Sequence, residues 1–220
     1  MSSQIATAAA DKPRLRGLSH AAAFLAAVPL GVLLVVEAET ARGRLSAIVF
    51  GAAVVAMFGA SALYHSPNWR EAPRRWLRRV DHAGIFALIA GTYTAFGVLA
   101  LSGYWRWVVL SIVWAGALAA IVFKFAWIDA PKWISAVIGV ALGWVGVVVA
   151  PQLLGEIGVT ASLLVLVGGL LYTLGALVYA FRRPDPYPDV FGFHEVFHVL
   201  VIAAVACQYA AVAFFVLPEH

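Results

Sequence analysis

Apolar residues run along this chain in blocks of about 18 to 23, long enough as helix to cross a hydrocarbon core of about 30 Å. Stretches such as Val145–Ala150 and Leu163–Leu171 show no alternation of apolar and polar positions. A spanning barrel strand alternates over segments of about 10 residues, so a barrel is excluded. The blocks predict seven spanning helices: Leu18–Val36, Leu45–Tyr64, Asp81–Leu101, Trp105–Trp127, Trp133–Ala150, Thr160–Phe181 and His194–Val216. The first outruns the apolar core of a cleaved signal peptide and is read as a span. The expected organisation is therefore a polar N-terminal lead over residues 1–17, disordered and cytosolic, a seven-helix domain over 18–216 and a short tail over 217–220. The two longest loops, Ser66–Val80 and Arg182–Phe193, are rich in proline and charge and too short to be domains.

Composition agrees with a lipid environment: 63% of residues are hydrophobic and 12% charged, far from a soluble mixture. The net charge of +4 would suggest a polyanionic partner in water, but here membrane topology accounts for it, because cytoplasmic loops accumulate Lys and Arg. Twelve of the fifteen basic residues fall on one side if the N-terminus is cytosolic, leaving Arg42, Arg44 and Arg106 on the other. That arrangement puts the C-terminus outside and implies no nucleic-acid partner. Trp105 and Trp107 mark one boundary of the bilayer, Trp127 and Trp133 the other. The single cysteine, Cys207, permits no intrachain disulfide and reads as packing inside the last span.

With depth assigned, polar residues at the inner ends of three spans stand out. Ser61 and His65 are four apart at the end of the second span, and His194 and His198 are four apart at the start of the seventh, so each pair shares a helix face. Asp81 is expected to open the third span on the same side. Singly, each has an ordinary explanation: an interfacial histidine, a packing hydroxyl, an N-cap carboxylate. Together they place ionisable groups from three helices in one layer, where such groups are functional by default. Three imidazoles with an open position suit zinc, whereas calcium and magnesium want oxygen ligands. A thiolate ligand is excluded, since Cys207 lies 9 residues and about 13 Å beyond His198.

Ser61-x-x-x-His65, Asp81-x-x-Gly84-Ile85 and His194-x-x-x-His198, with Ser19-His20, Gly91-Thr92-Tyr93-Thr94, Gly168-Gly169 and Tyr172-Thr173, resemble the progestin and adipoQ receptor family, and more narrowly its bacterial hemolysin III branch. The resemblance runs from about Leu18 to Val216. It implies zinc held by His65, His194 and His198, Asp81 bound through the metal water, Ser61 nearby, and a bacterial plasma membrane location. It also implies kinship with alkaline ceramidases, which hydrolyse lipid amides. Ala95 stands where the branch usually has proline, which leaves open whether the third span kinks.

Other residues have weaker claims. His194-Glu195-Val196-Phe197-His198 satisfies the H-E-x-x-H metalloprotease pattern, but His65 and Asp81 complete a site without it, and Glu195 is expected to face the headgroups. His82 points about 100° from Asp81 and is expected to pack. His20 reads equally as packing or as a partner of the ligands, and His220 as idle. Arg74, Arg75, Arg78 and Arg79 could hold anionic headgroups, although the topology rule already explains them. Lys124, at the cytosolic margin, does not make a retinal site. Gly139-x-x-x-Gly143 permits close helix contacts.

The expected function is a zinc-dependent hydrolase of a membrane lipid amide or ester, with catalytic Asp81 and Ser61 and a membrane lipid as substrate. The alternatives are a receptor-like or membrane-homeostasis protein with a structural zinc site, and a cytolytic pore, which spans so poor in charge do not favour.

Overall fold

A computed structural model of the protein describes residues 13–219; the bulk of the expected N-terminal lead, and His220, lie outside the described residues. The elements are α1 (Leu18–Glu37), α2 (Ala41–His65), α3 (Glu71–Ala100), α4 (Gly103–Ala126), α5 (Lys132–Gly143), a 3-10 stretch (Val145–Val149), α6 (Ala150–Phe181) and α7 (Phe193–Ala211). A π turn (Val212–Val216) and a 3-10 turn (Leu217–Glu219) prolong α7. Among the described residues the only β pairing is an isolated bridge between Tyr187 and Phe191. Six helical segments are long and apolar enough to cross a membrane: α1 to α4, the 50-residue run Lys132–Phe181, and Phe193–Glu219.

That long run is not one rod. Gly158 sits at φ 71°, ψ 177°, a conformation essentially restricted to glycine. On either side of it, Trp144 Nε1 donates to Thr173 Oγ1 at 2.9 Å. Twenty-nine residues of unbroken helix would hold those two about 43 Å apart, so the chain folds back at Gly158.

α3 begins ten residues before Asp81, which corrects the expectation that Asp81 opens a helix and removes its N-cap explanation. The stretch Glu71–Val80 is expected as loop because of its charge, yet Glu, Ala, Leu and Arg are good helix formers and Pro73 falls in the first turn, where a missing N–H costs nothing. The arginines there are used structurally. Arg78 pairs with Asp129 at 2.7 Å, and Arg79 Nε donates to the Phe125 carbonyl at 3.1 Å, tying α3 to the end of α4. α3 runs unbroken through Ala95 to Ala100.

α2 lies between α1 and α3. Gly31 and Gly51 bring the α1 and α2 backbones together, a Cβ on Gly51 coming within 3.3 Å of the Gly31 Cα. Without a hydrophobic driving force in lipid, such close backbone packing is what joins helices. By contrast, nothing lies within 4 Å of a Cβ built on Gly139 or Gly143, so this small-residue face is not packed on another helix of the same chain. One apolar cluster around Phe50, Met57, Phe58, Leu88 and Val201 unites α1, α2, α3, α6 and α7, and a second around Phe86, Val109, Val113 and Leu142 unites α3, α4 and α5. Leu25, Val36, Val122 and Phe214 lie on the outside, as expected of lipid-facing positions.

Candidate metal centre

His65 is the last residue of α2, and His194 and His198 lie one turn apart on α7, so a metal between them would bridge two helices distant in sequence. Their candidate ligand atoms all lie within 4.8 Å of one another. The Nε2 atoms of His65 and His194 face each other at 3.1 Å, close to the separation of about 3.3 Å that two nitrogens adopt about a tetrahedral zinc at 2.0–2.1 Å. All three rings are buried, His198 almost completely at 1% exposure, and its Nδ1 has no hydrogen-bond partner. Three imidazoles that each offer a nitrogen to one buried point form a donor set suited to a cation. The residues present therefore fit a metal ion. The Asp81 carboxylate stands to one side, Oδ2 3.6 Å from His65 Nε2.

α1 contributes a residue that the sequence leaves undecided. His20 stacks on His198, ring centroids 3.7 Å apart and planes within 9°, and its Nδ1 is 2.8 Å from Ser61 Oγ. It thus orients one histidine of the cluster and the hydroxyl beside Asp81. Its Nε2 is buried without a partner. An unpaired lone pair is better tolerated than an unpaired N–H, which favours a proton on Nδ1 donated to Ser61, leaving the Ser61 O–H free to donate elsewhere.

Glu195 does not face the headgroups. It is 1% exposed, ion-paired with Arg16 and accepting from the Gly192 N–H at 2.8 Å as a helix cap. The reason is the entry segment: Arg14 N and Leu15 N donate to the carbonyls of Asp189 and Val190 at 3.0 and 3.1 Å, which draws Arg16 over the start of α7. With its carboxylate committed to Arg16 and the cap, Glu195 is unsuited to the base role of an H-E-x-x-H site. Gly17 completes the closure at φ +82°, so near α2 that a Cβ there would lie 2.7 Å from His65 Cβ. His82 packs edge-on near Tyr179, with ring centroids 6.5 Å apart.

The cluster opens on a cavity of about 460 Å³. Ser61, Asp81, His194 and His198 line one end, and Leu101, Val109, Val149 and Leu154 the other. Asp81 and Leu101 are twenty residues apart on and just past α3, about 30 Å, so the cavity runs through most of a bilayer's depth. Its wall is overwhelmingly apolar. The one Lys or Arg in its lining is Lys124, which stands in the last turn of α4 and is nonetheless only 1% exposed. Sequence periodicity alone gives no signal for it, because its burial depends on how α4 turns against α3 and α5.

Residues 8–209 match the family described as Haemolysin-III related. The chain is 28% identical to Hemolysin-3 of Bacillus cereus over 204 residues, covering 91% of this chain and 90% of that protein. It is likewise 28% identical to the Hemolysin-3 homolog of Bacillus subtilis over 201 residues, 90% of this chain and 91% of that one. An adiponectin receptor protein of Drosophila melanogaster is 29% identical over 143 residues, 63% of this chain and 27% of the longer relative. With a buried histidine cluster, six membrane-length segments and a match over nearly its whole length, this chain is an integral membrane protein and belongs to the haemolysin-III related family.

Proposed function

We propose that the protein is a zinc-dependent hydrolase of a membrane lipid amide or ester. The observation that carries this reading is the union of a three-histidine cluster, a neighbouring carboxylate and an apolar cavity of membrane depth. His65, His194 and His198 would hold the ion. When bound, zinc supplies Lewis acidity and acidifies water to a pKa of about 7. The rest of the chemistry belongs to the protein. Asp81, beside the cluster but outside the ligand set, accepts and relays a proton as general base. Ser61, held by His20, directs its O–H toward the carbonyl oxygen where negative charge develops. The cavity takes the acyl chain and excludes water from the reacting end.

The membrane arrangement that goes with this reading has seven crossings, the N-terminus and the metal centre cytosolic and the C-terminus outside. The reversal at Gly158 supports the count, because 50 residues of helix span about 75 Å, more than twice the core thickness. The distribution of basic residues supports the orientation.

A structural role for zinc is the competing reading, and one observation favours it: α2 packs mainly on α1 and α3, α7 mainly on α6, so a metal held by the histidines would tie together two helices that otherwise meet only through the shared apolar cluster. Asp81→Asn separates the two. With zinc retained, loss of turnover on a panel of lipid amides and esters supports the hydrolase; a variant as active as the parent rejects it, and a parent that releases no product supports the structural role.

A further inference from the structure

The cavity contains a charge that the metal centre does not use. Lys124, in the last turn of α4, is almost wholly buried and lines the same cavity as Asp81 and His82. The ion pairs among the described residues join Arg16 to Glu195, His65 to Asp81 and Arg78 to Asp129, so no carboxylate stands within pairing distance of Lys124. No hydrogen bond to its ammonium is found among those residues either. Its Nζ lies 5.6 Å from the ring centroid of its sequence neighbour Phe123, a weak cation–π contact.

A buried ammonium with neither counter-ion nor acceptor is among the costliest groups a protein can hold, and in membrane proteins such groups pair or face a ligand pathway. Arg78 nearby is balanced by Asp129, but Arg79, whose Nε donates to the Phe125 carbonyl one residue from Lys124, has no carboxylate partner among the described residues and adds a cation. An anion entering the cavity beside Lys124 would remove the imbalance. Apart from scattered hydroxyls and Gln208, the remaining wall is apolar for about the length of a bilayer leaflet and more, which suits an anion that carries a long hydrocarbon chain.

We propose that Lys124 is the headgroup anchor of an anionic amphiphile, a carboxylate or phosphate bearing one long chain that fills the cavity. The ammonium donates to the anionic oxygens at the end of the cavity nearest the histidines, and the chain extends toward Leu101 and Leu154. If the hydrolase reading above also holds, the substrate is a lipid amide or ester whose head carries such an anion; that last step alone rests on it.

The test is equilibrium binding, so it does not depend on turnover. Radiolabelled palmitate, hexadecyl phosphate and hexadecanol share one chain length and differ in the head. Each is titrated at mildly alkaline pH against full-length protein in detergent micelles. Wild-type protein is expected to bind at least one of the two anions about tenfold or more tighter than the alcohol, the scale of a charge-assisted hydrogen bond, and the stronger one identifies the head. Lys124→Met should bind that anion and the alcohol alike, while Lys124→Arg should keep the preference and so shows that charge, not folding, is read. The metal could hold the anion instead, so the titration is repeated on chelator-treated protein, where the preference must persist. Equal binding of all three heads by the wild type, a preference that survives in Lys124→Met, or one that vanishes with the metal would each overturn the proposal.

Discussion

Single atoms decide most of the candidate site. The pair of Nε2 atoms 3.1 Å apart, with a nitrogen of His198 within 4.8 Å of both rings' ligand atoms, is what separates a metal centre from three packed histidines. The same scale separates two families of chemistry, because Glu195 lies between the α7 histidines but its carboxylate is held by Arg16 and the Gly192 N–H. Glu195→Gln keeps the capping geometry and loses the ion pair. It should therefore retain turnover within a few-fold while lowering the melting temperature by the equivalent of about 1–3 kcal/mol, below the range for a fully buried pair because Arg16 is partly exposed. Total loss of activity in that variant, with fold and metal intact, would restore the metalloprotease pattern. The pairs Ser61 with His65 and His194 with His198 were legible in the sequence because residues four apart share a helix face, whereas Asp81 was placed beside them by depth alone, on a helix start that lies ten residues earlier. The partner of Glu195 was not, since it comes from 179 residues away through a loop contact.

At the level of elements, glycine conformation controls where helices stop. Gly158 and Gly17 both have positive φ, and each does a different job: the first lets the long run reverse, the second brings the entry segment against His65. Gly158→Ala should cost about 1–3 kcal/mol of stability, read as a lower melting temperature, with the metal content unchanged. Gly17→Ala adds a steric collision with His65 to backbone strain, so it should lower both the melting temperature and the metal content. Unchanged metal in the Gly17 variant would mean that the entry segment does not position the histidine. Existence of the elements followed from apolar run length alone. The start of α3 did not, because a charged helix extending beyond the apolar layer looks like a loop to a hydropathy argument, and only the contacts of Arg78 and Arg79 with the end of α4 reveal why it stays helical.

For the whole molecule, the number of crossings fixes which face carries the histidines. In a Cys207→Ser background, single cysteines placed at Glu156 and Asp185 should report opposite sides to a membrane-impermeant thiol reagent, with position 156 labelled in intact cells and position 185 only after lysis. Labelling of Asp185→Cys from outside would contradict the cytosolic placement of the centre, and the same side reported for both positions would mean that the Lys132–Phe181 run does not reverse across the membrane. The cavity was not predictable from the sequence, because it arises where α3, α5 and α6 diverge around small and apolar side chains, a property of the assembled bundle.

Zinc bound between α2 and α7 is the claim on which the chemistry depends. Elemental analysis of protein purified without chelators tests it most directly, using the parent alongside His65→Ala and His198→Ala. About one zinc per chain in the parent and close to none in either variant is the predicted result. A parent devoid of transition metal, or variants that keep a full complement, would contradict it.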